Sequence, residues 1–289
     1  MKILLLGSNG QLGSCLVDEL SNTNHNLVAT NRLQIDVSNL KLTQREIIKY
    51  SPDIVINASA YNAVDRAEEE IDLVNMINNT AIKNISKICY KINATFIHIS
   101  SDYVFDGNSK TPYTELSNVN PLGIYGKSKL MGELSIKESG CKHIIIRTAW
   151  VFSEYGNNFL KTMMKLGSEK DELDIVSDQY GCPTYARDLA LAIIATFKKI
   201  ETKQCEWGIY NFCGNDNCSW YEFAENIFNS AKNLNLKSPL KLNKISMDKY
   251  NNAAKRPKYS ALNCSKFFNS FGIQPSNWKK AITKVLKVI

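Results

Sequence analysis

Tyr125 and Lys129 stand four residues apart in Tyr125-Gly126-Lys127-Ser128-Lys129. On a helix that spacing puts phenol and ammonium on one face, where the cation favours the ionised phenol. This is the layout of a proton donor and its tuner. The plain reading of the same five residues is a solvated helix face. The turn Asn120-Pro121-Leu122-Gly123 precedes them and opens the helix. A hydroxyl able to hold a substrate carbonyl beside Tyr125 comes from Ser100-Ser101-Asp102-Tyr103-Val104-Phe105, at the end of the apolar run Thr95-Phe96-Ile97-His98-Ile99. His98 alternates within that run and reads as a packed, satisfied histidine.

Elements that could position these groups begin at the amino terminus. Lys2 to Gly7 is a short apolar strand that stops at Gly7-Ser8-Asn9-Gly10-Gln11-Leu12-Gly13, after which Leu12, Leu16, Val17 and Leu20 recur at helical spacing. Strand, glycine turn and helix in that order suit a dinucleotide: Gly7, Gly10 and Gly13 let the backbone turn and approach a pyrophosphate, which the helix-start amides meet. The next strand, Asn26 to Thr30, ends at Asn31-Arg32, where an acid would grip the ribose hydroxyls of NAD. No acid stands there. Arg32 either faces a 2′-phosphate, favouring NADPH, or is a solvated loop cation. Asp36-Val37 meets the adenine end, or Asp36 caps the helix beginning near Asn39.

Pro52 to Asn57 is a third strand, running into the small residues Ala58-Ser59-Ala60-Tyr61, and His143 to Thr148 is a fifth, running into Ala149-Trp150. The strand ends place a ligand along one sheet edge. Trp150 stacks on a ligand ring or fills a core. The acids between Asp65 and Glu70 read as the solvated start of a helix spanning Leu73 to Tyr90. The polar loop Gly107 to Asn120 is long enough to lie over a site.

The carboxyl-terminal half departs from simple alternation. It carries a helix after Asn157-Asn158-Phe159, a strand from Leu173 to Val176, the turn-rich link Asp178 to Thr184 and a helix from Arg187 to Ile200. Ile209 to Phe212, the helix around Trp220 to Ala231, and Lys255-Arg256-Pro257 are read as completing a substrate-side lobe. The expected architecture is α/β: a Rossmann-type doubly wound parallel sheet with a smaller, interwoven carboxyl-terminal lobe. Residues 1–150 with parts of 174–214 form the dinucleotide-binding domain, and 151–173 with 215–289 mainly the lobe.

Composition narrows the classes. A hydrophobic share of 44% supports a core, and the net charge of +7 is scattered, without interleaved aromatics, so it attracts anionic small molecules rather than nucleic acid. The eight cysteines include no Cys-x-x-Cys pair, and Cys213 and Cys218 read as ordinary thiols rather than metal ligands. The apolar amino terminus meets Gly7 too soon for a signal-peptide core, and no run reaches membrane-spanning length, so a cytoplasmic protein with no membrane partner is expected.

The glycine turn, the hydroxyl after the fourth strand and Tyr125-x-x-x-Lys129, in this order, resemble the extended short-chain dehydrogenase/reductases, and within them the dTDP-4-dehydrorhamnose reductase family. The resemblance runs through Pro52 to Glu70, Ser100 to Phe105, Asn120 to Glu133, Arg147 to Asn158, Asp178 to Asp188 and Arg256 to Leu262. It implies reduction of a 4-keto-6-deoxy sugar nucleotide with NADPH, NADH being the lesser choice, as the last step to dTDP-L-rhamnose for surface polysaccharide. The family's catalytic hydroxyl falls on Ser101, where Thr is usual, its acid on Tyr125 and its lysine on Lys129. The cofactor would lie along Gly10, Gln11 and Leu12, then Asp36-Val37, then Ser59-Ala60-Tyr61, and reach Tyr125 and Lys129. Sugar-nucleotide contacts would come from Asn62, Val64, Ser101, Asp102, Trp150 and Asn158, with Arg256 meeting the diphosphate or stabilising the lobe. Lys129, with the cofactor ribose, would lower the phenol of Tyr125 toward the working pH. Some family members form metal-bridged dimers through acids; the matching places here hold Cys15, Arg187 and a basic tail. A monomer or weak homodimer without bridging metal is therefore expected. Two rivals stand: a reductase or epimerase of another nucleotide-linked deoxysugar, and a non-catalytic NADP-binding regulatory subunit.

Overall fold

A computed structural model describes residues 1–250 and 253–289. The first half alternates strand and helix: β1 (Lys2–Leu6), α1 (Gln11–Ser21), β2 (Asn26–Thr30), α2 (Leu40–Tyr50), β3 (Ile54–Asn57), α3 (Ile71–Asn75), α4 (Ala81–Lys91), β4 (Thr95–Ser101), α5 (Ile124–Ser139) and β5 (His143–Thr148). The second half interleaves short pieces with helices. These are β6 (Val151–Phe152), α6 (Phe159–Glu169), β7 (Glu172–Val176), β8 (Tyr180–Gly181), β9 (Thr184–Tyr185), α7 (Ala186–Glu201), β10 (Gly208–Asn211), β11 (Cys218–Ser219), α8 (Trp220–Asn233), β12 (Lys241–Ile245), α9 (Ser265–Phe271) and α10 (Trp278–Leu286).

Six strands form a parallel sheet in the order β10-β5-β4-β3-β1-β2. Both faces are covered, so Ile3 to Leu6, Ile54 to Ile56 and Ile144 to Ile146 are all shielded from water, and the strands read as unbroken apolar runs rather than alternating ones. One face packs Leu12, Cys15 and Leu16 of α1 with Leu189, Ile193 and Phe197 of α7. The other packs Ile47 of α2, Ile82, Ile85 and Cys89 of α4 and Ile136 of α5. Strand order reverses between β1 and β3, the point at which the carboxyl ends of an open sheet leave a ligand crevice. A second apolar cluster joins α6, α8 and α10 to the parallel pair β7–β12.

Several expectations are corrected. Ile209 to Phe212, read above as completing the substrate-side lobe although parts of 174–214 were also given to the dinucleotide-binding domain, contributes β10 to the edge of the main sheet, hydrogen-bonded to β5. The helix expected over Leu73 to Tyr90 is α3 and α4 joined by a π turn, Met76–Thr80. That turn aims the buried Asn78 at the main chain of Tyr61, accepting from its N–H at 2.9 Å and donating to its carbonyl at 3.1 Å. The acids of 65–70 are engaged rather than merely solvated: Glu68 accepts from the Ile124 N–H at 2.8 Å, supplying the cap that Gly123 at the start of α5 lacks a side chain to give. The 107–120 loop packs on the carboxyl-terminal segment through the pairing of Tyr113 with Leu262.

Candidate active site

Along the carboxyl ends of β1, β3, β4 and β5 runs a cavity of about 560 Å³. Its floor begins at α1. Gly13 allows the tight return, since a Cβ there would lie 2.1 Å from the Gly7 carbonyl oxygen. Gly10 caps α1 without any side-chain hydrogen bond, so the first-turn amides are left for an anion. Gly10, Gln11 and Leu12 line the cavity, and Ala58, Ser59 and Ala60 face it from the end of β3. Small residues, free amides and a long trough fit a dinucleotide.

Tyr125 sits in the first turn of α5, where Gly126 permits the close approach of helix and strand end: a Cβ there would lie 2.2 Å from the Tyr103 carbonyl oxygen. The phenol donates to Asn62 Oδ1 at 3.4 Å and meets the ring of Tyr103 edge-on. Burial pushes it up to about 12, against a lowering hydrogen bond with Ser101 and with a further upward push from the Asp102 charge. Lys129, expected together with the cofactor ribose to lower this phenol, makes no direct hydrogen bond to it among the described residues. The ammonium is drawn instead to the end of β4, where it donates to the Ile99 carbonyl at 2.6 Å. Burial pulls Lys129 down to about 8, with Glu133 acting the other way. At neutral pH Tyr125 thus holds a proton to give, with a cation one helical turn away.

Ser101 ends β4. Its hydroxyl accepts from the Tyr103 N–H at 3.1 Å and donates to Asp102 Oδ1 at 3.0 Å. The other oxygen of Asp102 accepts from Ser260 at 2.6 Å. Burial raises Asp102 to about 6, opposed by the bonds from Ser260 and Ser101.

The far wall holds Asn62, Val64, Trp150, Asn158 and Arg256, all anticipated from the sequence, and Trp220, which was not. Trp150, at φ 46°, lies flat on Trp220 with ring centroids 3.5 Å apart. Arg256 donates to Asp65 Oδ2 at 2.5 Å, and its buried Nε has no partner among the described residues. Gln11 ties the two halves together: its Oε1 accepts from Ser153 and from Asn158, each at 3.0 Å.

The whole chain, residues 1–289, matches the model of the family described as RmlD substrate binding domain. The chain belongs to this family. It is 38% identical over 287 residues to a dTDP-4-dehydrorhamnose reductase of Aggregatibacter actinomycetemcomitans, covering 98% of each chain. Among solved structures it resembles a dTDP-4-dehydrorhamnose reductase of Clostridium acetobutylicum with a TM-score of 0.92 and 37% identity, covering 100% of this chain and 99% of that one. A dTDP-4-dehydrorhamnose reductase of Bacillus anthracis in complex with NADP gives 0.91 and 35%, with coverage of 100% and 99%.

Within this RmlD-type chain, part of the expected cofactor set lies outside the cavity. Gly7 and Gly13 shape the turn behind it. Arg32, with 76% of its side chain exposed, pairs with Asp36 at 3.2 Å, and Asn31 holds its own loop by accepting from the Leu33 N–H. Asp36 also accepts from Ser38, while Asn39 rather than Asp36 caps α2. Val37 is buried in the core, and the Tyr61 hydroxyl is spent on Glu70 at 2.8 Å. His98 is only half satisfied: Nδ1 meets Asn57 at 3.1 Å, and its buried Nε2 has no partner among the described residues. Where a bridging metal would need acids, Arg187 pairs with Asp18 at 2.9 Å and Glu19 at 2.7 Å, and Cys15 is a buried thiol. Among the described residues no helix is long and apolar enough to cross a membrane.

Sequence reasoning also missed a buried charged group beneath the site. Glu133 accepts from Ser100 at 2.5 Å and from Arg147 at 2.9 and 2.6 Å. The signal was present: Arg147 is a charge within the apolar run 143–148, and Glu133 stands four residues after Lys129.

Proposed function

We propose that this chain reduces the C4 ketone of dTDP-4-dehydrorhamnose to dTDP-L-rhamnose with NADPH. The observation that carries the reading is the meeting of Ser101, Tyr125 and Lys129 in the same cavity as Gly10, Gln11 and Leu12. NADPH bound along that trough supplies the hydride to C4. As charge develops on the ketone oxygen, Tyr125 gives it a proton and becomes phenolate, and the Lys129 cation stabilises that anion. Ser101 holds the same oxygen by turning its hydroxyl from Asp102 to the substrate, which Asp102 tolerates because Ser260 still donates to it. Arg256 at the cavity wall answers the diphosphate, its Asp65 partner fixing the guanidinium. The stacked indoles of Trp150 and Trp220 give the sugar an apolar wall.

The test is NADPH oxidation on adding the dTDP ketosugar, run beside the UDP- and GDP-linked ketosugars. Turnover confined to the dTDP compound is expected. Turnover only with another nucleotide would reassign the substrate, and NADPH binding without turnover on any ketosugar would leave a binding subunit.

A further inference from the structure

We propose that Glu133 is a positioning residue for this reaction: its carboxylate, itself fixed by Ser100 and Arg147 one helical turn from Lys129, keeps the Lys129 ammonium charged. The inference rests on the role given to Lys129 above.

Glu133 is 1% exposed and Arg147 2%. The carboxylate is held by three donors from two neighbouring strands: Ser100 Oγ of β4, and Nε and Nη2 of Arg147 on β5. Ser100 and Arg147 are paired in register, so the clamp spans one rung of the sheet directly before Ser101. A buried ion pair is poor value as glue, because desolvating both ions offsets most of their attraction. Arg147 even keeps its buried Nη1 without a partner among the described residues. An apolar trio would hold these strands as well. Position gives the acid a purpose, since it lies one helical turn from the buried Lys129 on the same helix.

The other charged or titratable groups around Lys129 do not replace it. His98 on β4 is held neutral by burial and by Lys129 itself. Asp102, after β4, has both oxygens occupied by Ser101 and Ser260. Tyr103 and Tyr125 are protonated phenols, raised by burial. Glu68 caps the start of α5. Arg147 would repel the ammonium were its charge not set against Glu133.

The arrangement makes opposite demands of the two partners. Glu133→Gln leaves the Arg147 cation bare and should release the Lys129 proton at lower pH. Arg147→Met leaves the carboxylate bare and should hold that proton to higher pH. In profiles of kcat against pH, measured with saturating NADPH and ketosugar, the alkaline limb is expected to move down by about one unit in E133Q and up by about one unit in R147M. E133D is expected to keep the limb near its wild-type place. The double variant E133Q/R147M buries no unpaired charge and is expected to fold even where a single variant does not, with its limb between those of E133Q and wild type. A merely structural clamp would lower kcat or Tm and leave every limb in place, and that result, or movement of both single variants in one direction, overturns the proposal. Full turnover in Lys129→Met would instead remove the underlying reading of Lys129, so the two failures are told apart.

Discussion

The Nζ of Lys129 donates to the Ile99 carbonyl at 2.6 Å, so the ammonium is anchored to the strand that ends in Ser101 and not to the phenol of Tyr125. The cation is thereby referred to the strand end that carries Ser101. Burial leaves the lysine near 8. Turnover that needs the cation is therefore expected to be full below this value and to fall as pH rises through it. Lys129→Met should lose about a hundredfold or more in kcat at neutral pH, and the alkaline limb with it. A pH–rate series on both proteins checks this.

Tyr125→Phe removes the proton but little of the trough. NADPH should still bind, seen by titrating its fluorescence, while turnover drops by about two to four orders of magnitude. Full turnover in this variant would exclude Tyr125 as the acid.

Asp102 makes a stability prediction. Its folded value of about 6 lies above the ordinary 3.8, so the native state binds the proton more tightly than the unfolded chain between those values. The cost of its buried charge is complete above about pH 6 and fades as pH falls toward 4. Wild type should therefore gain stability relative to Asp102→Asn over that window, measured by urea unfolding at several pH values. A constant difference would show that Asp102 does not titrate there.

Among the described residues Arg32 is tied only to Asp36, by an exposed pair that contributes little and is easily exchanged for a 2′-phosphate. Loss of a charged hydrogen bond in Arg32→Ala should lower kcat/KM for NADPH by about tenfold or more and leave NADH nearly unchanged. Equal effects on both cofactors would remove Arg32 from recognition.

Arg187 occupies Asp18 and Glu19 within the chain, leaving these acids little capacity to bridge a metal to a second copy. EDTA is accordingly expected to leave the mass seen in light scattering unchanged, and dissociation by the chelator would contradict this.

The groups proposed to be catalytic were legible because each carries a local mark. Lys129 four residues after Tyr125, Ser101 at a strand end and the glycine turn are all set by neighbours within a few residues. Glu133 was not legible as part of the site, since its partners Ser100 and Arg147 come from strands that only the sheet brings together. Trp220 reaches the cavity from α8 by the same kind of long-range meeting. Ile209 to Phe212 reads as a strand from its composition, but which sheet it joins depends on the free edge of β5. Where the Lys129 ammonium points was not legible for a related reason: four-residue spacing fixes a shared helix face, whereas the Ile99 carbonyl decides the direction of the side chain.

The late arrival of β10 has a consequence for biosynthesis. Its partner β5 is complete at Thr148, yet residues 208–211 are synthesised only after α6 and α7. Until then the growing polypeptide presents the hydrogen-bonding edge of Ile144 to Ile146, and such an edge recruits strands from other chains. Fragments that stop short of residue 208 are thus set to aggregate, and the ribosome-bound intermediate has most need of a chaperone while α6 and α7 are emerging.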